Sequence, residues 1–403
     1  MKIKDIINNL KSNPMFRLSL GSKELFHSNF LEFLWEYDDD KNHRKFFDML
    51  RELGCERDWK DGVEYILSRE KENFDICIYH KDSRKICYDL IIENKVKSIP
   101  RKEQLKEYYK KAKDHGSNNV ELILLSLVVK FPDKSIIIDK FKNEGGEWRI
   151  VNYDSLLSAI RKAYNNTDNG NYINDYCKFI EQMHSLQNEI LGNDFEKEPY
   201  YKGEEQKLLE KVRLHDLYIK LRASKFMSLL EQKLEQKLEK EGTAKVVTIP
   251  CDDYKKYDDI RQNTKDKIIR VFLNYTIQSG TGMVAAFIYK KGNNGDKIIE
   301  VVIQGDQYRH GVNSPRYKME HCEKSEKLSK LWNDVSYDDY MKQTVDKVIF
   351  LDEYKNDQKE YCIYGDDYVY RYFKIDDKTV TQLIEIMVKD IKDVVNNEDL
   401  WKI

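Results

Sequence analysis

From Val120 to Val129 the chain is apolar apart from Glu121 and Ser126. The run is too short to cross a membrane and too uniform for a half-exposed strand. Val120 to Val128 is therefore predicted to be a strand covered on both faces, as at the centre of a sheet flanked by helices. Its neighbours supply the rest of such a sheet. Ser22 to Tyr37 places Leu25, Phe26, Phe30, Phe33 and Leu34 near helical spacing, with Ser22 as N-cap. Three β-rich runs follow, Val63 to Ser68, Phe74 to Tyr79 and Ile86 to Glu93, the last two joined across a polar turn at His80 to Ser83. Pro100 then opens a helix to about Asp114, in which Gln104, Leu105, Tyr108 and Tyr109 repeat at helical spacing. The expected order is helix, three strands, helix, strand.

The full 403 residues allow two to three domains at roughly 150 residues each. Lys and Arg number 69 against 71 Asp and Glu, so neither a basic nucleic-acid coat nor an acidic disordered chain is consistent with the composition. Any surface for nucleic acid must be a local patch. With 17 Gly and 6 Pro the chain is not dominated by linkers. No membrane-spanning run or signal-peptide core is present, so a folded, soluble, cytoplasmic protein is expected. Seven cysteines without CxxC spacing read as reduced thiols rather than zinc ligands.

Beyond Tyr153 the pattern turns helical. Gly203 to Glu241 has no internal Gly or Pro and ends with Leu230, Leu234 and Leu238 every four residues, a stripe that must pack within the chain or against a second copy. Gly242 supplies the stop. Strand-like segments then dominate: Lys245 to Ile249, Met283 to Tyr289, Lys297 to Gln304, Lys347 to Leu351, Tyr361 to Tyr364 and Tyr368 to Phe373. A final amphipathic helix is expected at about Val380 to Val395. The polar cluster Gln304 to Gly311 reads as an ordinary loop or a recognition loop. The boundaries implied are 1–152, a helical connector at 153–242, and a β-rich α+β domain of unassigned role at 243–403.

The chemistry lies near Asp75 and Leu90-Ile91-Ile92-Glu93-Asn94-Lys95. Side chains alternate along a strand, so Glu93 and Lys95 share a face and the neighbouring hairpin strand can bring Asp75 beside them. Two carboxylates and an ammonium at strand ends suit Mg²⁺, which takes hard oxygen ligands, retains waters and completes its shell with phosphate. A metal-bound water attacking a phosphodiester is the reaction such a group can run. A solvated Glu93–Lys95 pair is the competing reading. Lys97, Arg101, Lys102, Lys106, Lys110, Lys111 and Lys113 flank the group, either as a phosphate-holding face or as a solvated one.

The ordered pieces Glu24-Leu-Phe-His27-Ser28, Asn73-Phe74-Asp75-Ile76, Ile91-Ile92-Glu93-Asn94-Lys95 and Gln104-Leu105-Lys106-Glu107-Tyr108 resemble the PD-(D/E)xK nuclease superfamily, specifically its bacterial group with E-x-x-H-S and E-N-K motifs. The resemblance covers residues 20 to 130. It implies an α/β restriction-endonuclease-like core of αβββαβ order and a Mg²⁺-dependent nuclease, with Mn²⁺ as substitute. Asp75, Glu93 and Glu24 would be metal ligands, Lys95 the catalytic lysine, and Gln104 and Tyr108 further site residues; Lys97, Arg101 and Lys102 would bind nucleic acid. The implied substrate is DNA in preference to RNA. An anti-phage defence role, with a homodimer or an activating partner protein, follows by analogy. The alternative is a non-catalytic nuclease-fold sensor or scaffold.

Overall fold

The computed structural model describes residues 3–20, 23–38, 42–83, 85–95, 102–117, 119–126, 143, 145–164, 170–192, 194–248, 268–278, 281–290, 297–313, 362–364 and 368–398. The chain forms two compact units, Met1–Ile190 with Lys207–Leu217, and Leu191–Gln206 with Tyr218–Ile403. The stretch expected as a connector, 153–242, contributes helices to both.

In the first unit, helices α1 (Ile3–Ser12), α2 (Pro14–Ser19), α3 (Lys23–Glu36) and α4 (Arg44–Glu52) precede strands β1 (Tyr65–Arg69), β2 (Ile76–Asp82) and β3 (Lys85–Lys95). Helix α5 (Lys102–Asp114), strands β4 (Glu121–Ser126) and β5 (Trp148–Asn152), and helices α6 (Tyr153–Ala163) and α7 (Gly170–Ile190) follow. The sheet runs β1-β2-β3-β4-β5. β1, β2 and β3 pair antiparallel, whereas β3, β4 and β5 run parallel. A mixed sheet with helices fits the expected α/β class. As the apolar run predicts, Leu122, Ile123, Leu124 and Leu125 are all buried, so β4 is covered on both faces. β5 escaped the sequence reading because Trp148-Arg149-Ile150-Val151-Asn152 is too short and mixed to show a period.

A register shift at Ile78/Tyr79 sets the aim of β3. Ile78 pairs with Leu90 but Tyr79 with Tyr88, leaving Asp89 as the extra residue of a bulge. Tyr88 therefore joins Ile91, Leu105 and Tyr108 in one core cluster. Asp89, fully buried, is held by Arg57 and by His80 Nδ1 at 2.7 Å. Burial pushes its carboxyl upward while those two partners oppose the shift. The loop into β5 is equally constrained. Gly146 has φ +79°, and a Cβ built there would stand 2.5 Å from Leu122 Cδ1 and 2.6 Å from Tyr109 Cδ2. Gly146→Ala is expected to destabilise the unit by about 2–4 kcal/mol, from left-handed strain plus overpacking. A urea midpoint unchanged from wild type would show that the loop relaxes freely.

The second unit contains a seven-stranded sheet ordered β11-β12-β10-β9-β8-β7-β6. Its strands are β6 (Lys245–Thr248), β7 (Arg270–Gln278), β8 (Thr281–Lys290), β9 (Lys297–Gln304), β10 (Gln307–Asn313), β11 (Cys362–Tyr364) and β12 (Tyr368–Lys374). The expected strand at Lys347 to Leu351 lies outside the described residues. Gln307–Asn313 is a strand and not the expected loop: β9 and β12 satisfy its backbone on both sides, and only Gly305-Asp306 turns. Polar composition misled because His310 and Tyr308 are buried polar residues, both bonded to Asp390 Oδ2 at 2.7 Å. Asp390 belongs to the terminal helix, α10 (Val380–Asn396), which a Thr379/Gln382 capping box starts.

Helix α8 (Gly203–Glu210) stops before α9 (His215–Leu234), although Gly203 to Glu241 has no internal Gly or Pro. Arg213 adopts φ +54° and Leu214 N–H closes the turn on Leu209 O at 2.9 Å. Leu209 and Leu214 are both fully buried, and that anchoring ends the helix without Gly or Pro. Leu230, Leu234 and Leu238 are also fully buried, so the stripe packs within the chain. No described helix is long and apolar enough to cross a membrane.

Candidate active site

Asp75 reaches the sheet through a strained turn. Glu70, Glu72 and Asn73 have φ of 55°, 55° and 68°, left-handed conformations that cost about 1–3 kcal/mol each for residues other than glycine. Three contacts hold them there. Phe74 is buried edge-on to the rings of Tyr88 and Tyr108, with centroids 5.2 and 5.1 Å away. Tyr108 donates its hydroxyl to Asn73 O at 2.6 Å, and Lys111 Nζ donates to Glu72 O at 3.1 Å. Asp75 then stands one residue before β2, not inside a strand as the run Phe74 to Tyr79 suggests; Phe74 anchors the turn instead of extending the ladder. Asp75 Oδ2 accepts a hydrogen bond from Asn94 N–H at 2.7 Å.

Glu93, near the end of β3, is fully buried. Its Oε1 accepts from Lys95 Nζ at 2.5 Å and from Gln104 Nε2 at 2.9 Å. Its Oε2 has no hydrogen-bond partner among the described residues. Burial, then the adjacent Asp75 charge, pushes the Glu93 carboxyl up to about 8, against the opposing pull of Lys95. Gln104 Nε2 also donates to Tyr108 OH at 2.8 Å. Burial, then the Glu93 charge, pushes Tyr108 up to about 12. A continuous path of hydrogen bonds thus runs from Glu93 through Gln104 and Tyr108 to the backbone just before Asp75. Tyr108 OH thus links Gln104 to the Asn73 carbonyl.

Asp75, Glu93, Lys95, Gln104 and Tyr108 are therefore brought together. Glu24 lies in α3, but its side chain is outside the described residues. The same holds for the Lys102 side chain at the start of α5, and Lys97 and Arg101 are outside the described residues altogether. His27 is buried among aromatic rings, with Nδ1 2.9 Å from Tyr176 OH and its ring stacked on Phe179. At the same end of the sheet, Arg69 of β1 ties to Asn29 and, at 2.5 Å, to Glu32 of α3. Nothing local in the sequence marks that link, because its partners are 37 and 40 residues apart.

Residues 14–178 match the PD-(D/E)XK nuclease superfamily. No curated protein and no solved structure matches the chain. PD-(D/E)XK proteins are usually nucleases and typically use divalent metals. The matched span holds α3, the five-stranded sheet, α5 and α6, together with every residue of the cluster above. Among the described residues no group of three or more His, Cys, Asp or Glu side chains is arranged as a metal cage. The donors that are described nevertheless fit a hard cation: a buried carboxylate with one oxygen unpaired lies beside a second carboxylate, which suits a metal that keeps most of its waters. Sequence reasoning quoted Asn94, between Glu93 and Lys95, as part of the motif but gave it no role. Its signal was the strict alternation that hides it behind Glu93 and Lys95.

Proposed function

We propose that the first unit is a divalent-metal-dependent nuclease that hydrolyses phosphodiester bonds, of DNA in preference to RNA. Asp75 and Glu93 hold Mg²⁺, with Mn²⁺ as a substitute and Glu24 as a further ligand. The observation that carries this reading is the buried Glu93 Oε2, which has no hydrogen-bond partner among the described residues and lies beside the Asp75 carboxyl, so that a proton or a cation between the two relieves their repulsion. When bound, the metal supplies an acidified water and positive charge at the scissile phosphate.

The chain's own residues do the positioning. Lys95, mostly buried and bonded to Glu93, presents an ammonium where negative charge develops on phosphorus. Gln104 holds the second ligand's Oε1, and Tyr108 holds the turn that delivers the first. In the hydrolysis the water oxygen bonds to phosphorus and gives up a proton, one phosphorus–oxygen ester bond breaks, and the leaving oxygen takes up a proton. Lys97, Arg101 and Lys102 contribute phosphate contacts. The second unit selects the substrate or senses a trigger, as in an anti-phage effector acting with a second copy or a partner protein.

The test incubates the full chain with plasmid DNA, single-stranded DNA and RNA in Mg²⁺ or Mn²⁺, with EDTA and with Asp75→Ala, Glu93→Ala and Lys95→Ala. Metal-dependent cleavage lost in all three variants is expected. Cleavage that survives them, or binding without cleavage under every metal condition, would overturn the proposal.

A further inference from the structure

We infer that Asn94 is the positioning residue of the site, bracing the strand that carries Glu93 and Lys95 and orienting Asp75; this rests on the metal-site reading above. Asn94 is fully buried. Alternation along β3 points its side chain to the face opposite Glu93 and Lys95. There its Oδ1 accepts the Tyr153 hydroxyl at 2.6 Å, and its Nδ2 lies 3.5 Å from Ser28 Oγ. Its backbone N–H meanwhile donates to Asp75 Oδ2 at 2.7 Å. The last antiparallel pair between β2 and β3 is Ile76 with Ile92. Two residues further on, Asn94 has passed the end of β2, and the Asp75 carboxylate takes the place a ladder carbonyl would have filled. The backbone N–H at this position, which any residue but proline supplies, thus holds Asp75, while the Asn94 side chain braces the strand that carries Glu93.

The brace is anchored on several elements. Tyr153 opens α6 directly after β5, where Asn152 Oδ1 caps the helix by accepting from Ser155 N–H at 2.7 Å. The Tyr153 ring meets His27 edge-on at 5.2 Å, and His27 bonds Tyr176 of α7. His27 and Ser28 are neighbours on α3. The His-Ser pair near the start of the matched span and the Asn between Glu93 and Lys95 thus serve one buried support behind the acidic site. Asparagine suits the position because it offers one acceptor to the phenol and one donor to the serine while staying neutral. A third carboxylate there would add to the repulsion that Asp75 already exerts on Glu93.

Outer partners of metal sites typically cost about 10–100-fold in metal affinity or activity when removed. Asn94→Ala is expected to weaken Mn²⁺ binding, measured by calorimetry, within about that range. The KM for DNA should stay within about twofold, because a buried side chain on the far face touches no substrate. Tyr153→Phe removes only the hydroxyl that Asn94 accepts and keeps the ring, so it serves as the folded variant where Asn94→Ala does not fold; it should weaken Mn²⁺ binding severalfold and lower kcat in proportion. Mn²⁺ affinity equal to wild type in the folded variants, or in Tyr153→Phe alone if Asn94→Ala does not fold, overturns the inference whatever cleavage does. Asp75→Ala separates the two levels: if it binds Mn²⁺ and cuts like wild type, the metal-site reading itself fails; if it is silent while Tyr153→Phe matches wild type, only the brace fails.

Discussion

Glu93→Gln is expected to reduce metal-dependent cleavage by a factor on the order of 10³ or more, well beyond the loss from an outer partner, while the chain stays folded. The amide keeps the size of the carboxyl and can still accept from Gln104 and Lys95 at the position where Oε1 now sits, 2.9 and 2.5 Å from them. What it loses is the capacity to carry negative charge at Oε2, the buried oxygen without a partner among the described residues. A structural role would predict the opposite balance: little change in rate for so conservative a replacement, or a rate loss matched by unfolding. Cleavage assays with circular dichroism on the same sample separate these outcomes. Retention of more than about a tenth of wild-type kcat by a folded Glu93→Gln protein would remove Glu93 from the ligand set.

The parts of this site that sequence could reveal are those governed by local periodicity. The doubly covered β4 is visible because both faces need apolar side chains, and Glu93 and Lys95 share a face because strands alternate. Asp75 was found by type but misplaced by one step. A turn with three left-handed residues carries no glycine signature here, and its cost is offset by Tyr108 and Lys111, which arrive from α5 more than thirty residues later. Long-range partnership explains the other misses as well. β10 hides its strand character behind polar residues whose acceptor, Asp390, comes 80 residues downstream. Asn94 stands in the motif without a role of its own until Tyr153, 59 residues away, bonds its Oδ1. In each case composition reported the side chain correctly and tertiary contact decided its use.

The raised Glu93 pKa gives the site a pH signature with a definite sign. Its carboxyl titrates at about 8 instead of the ordinary 4.5, chiefly through burial and then through Asp75. Metal binding requires the carboxylate, so below that value each cation bound must displace a proton. Mn²⁺ affinity should therefore rise about tenfold per pH unit between pH 6 and pH 8 and level off above it. Stability without metal should run the other way. In the folded chain Glu93 keeps its proton up to about 8, whereas the unfolded chain releases it near 4.5. Between those values the folded state binds more protons, so this group's contribution to stability declines as pH rises through that window and is flat above it, by at most about 1.4 kcal/mol per unit. Urea unfolding in EDTA from pH 5 to pH 9 reads this slope directly, and Glu93→Gln should remove it while leaving the slopes from exposed carboxylates in place. Mn²⁺ affinity that is flat from pH 6 to pH 8, together with wild-type and Glu93→Gln stability curves that run parallel, would mean that Glu93 is ionised throughout, with Lys95 outweighing burial and the Asp75 charge.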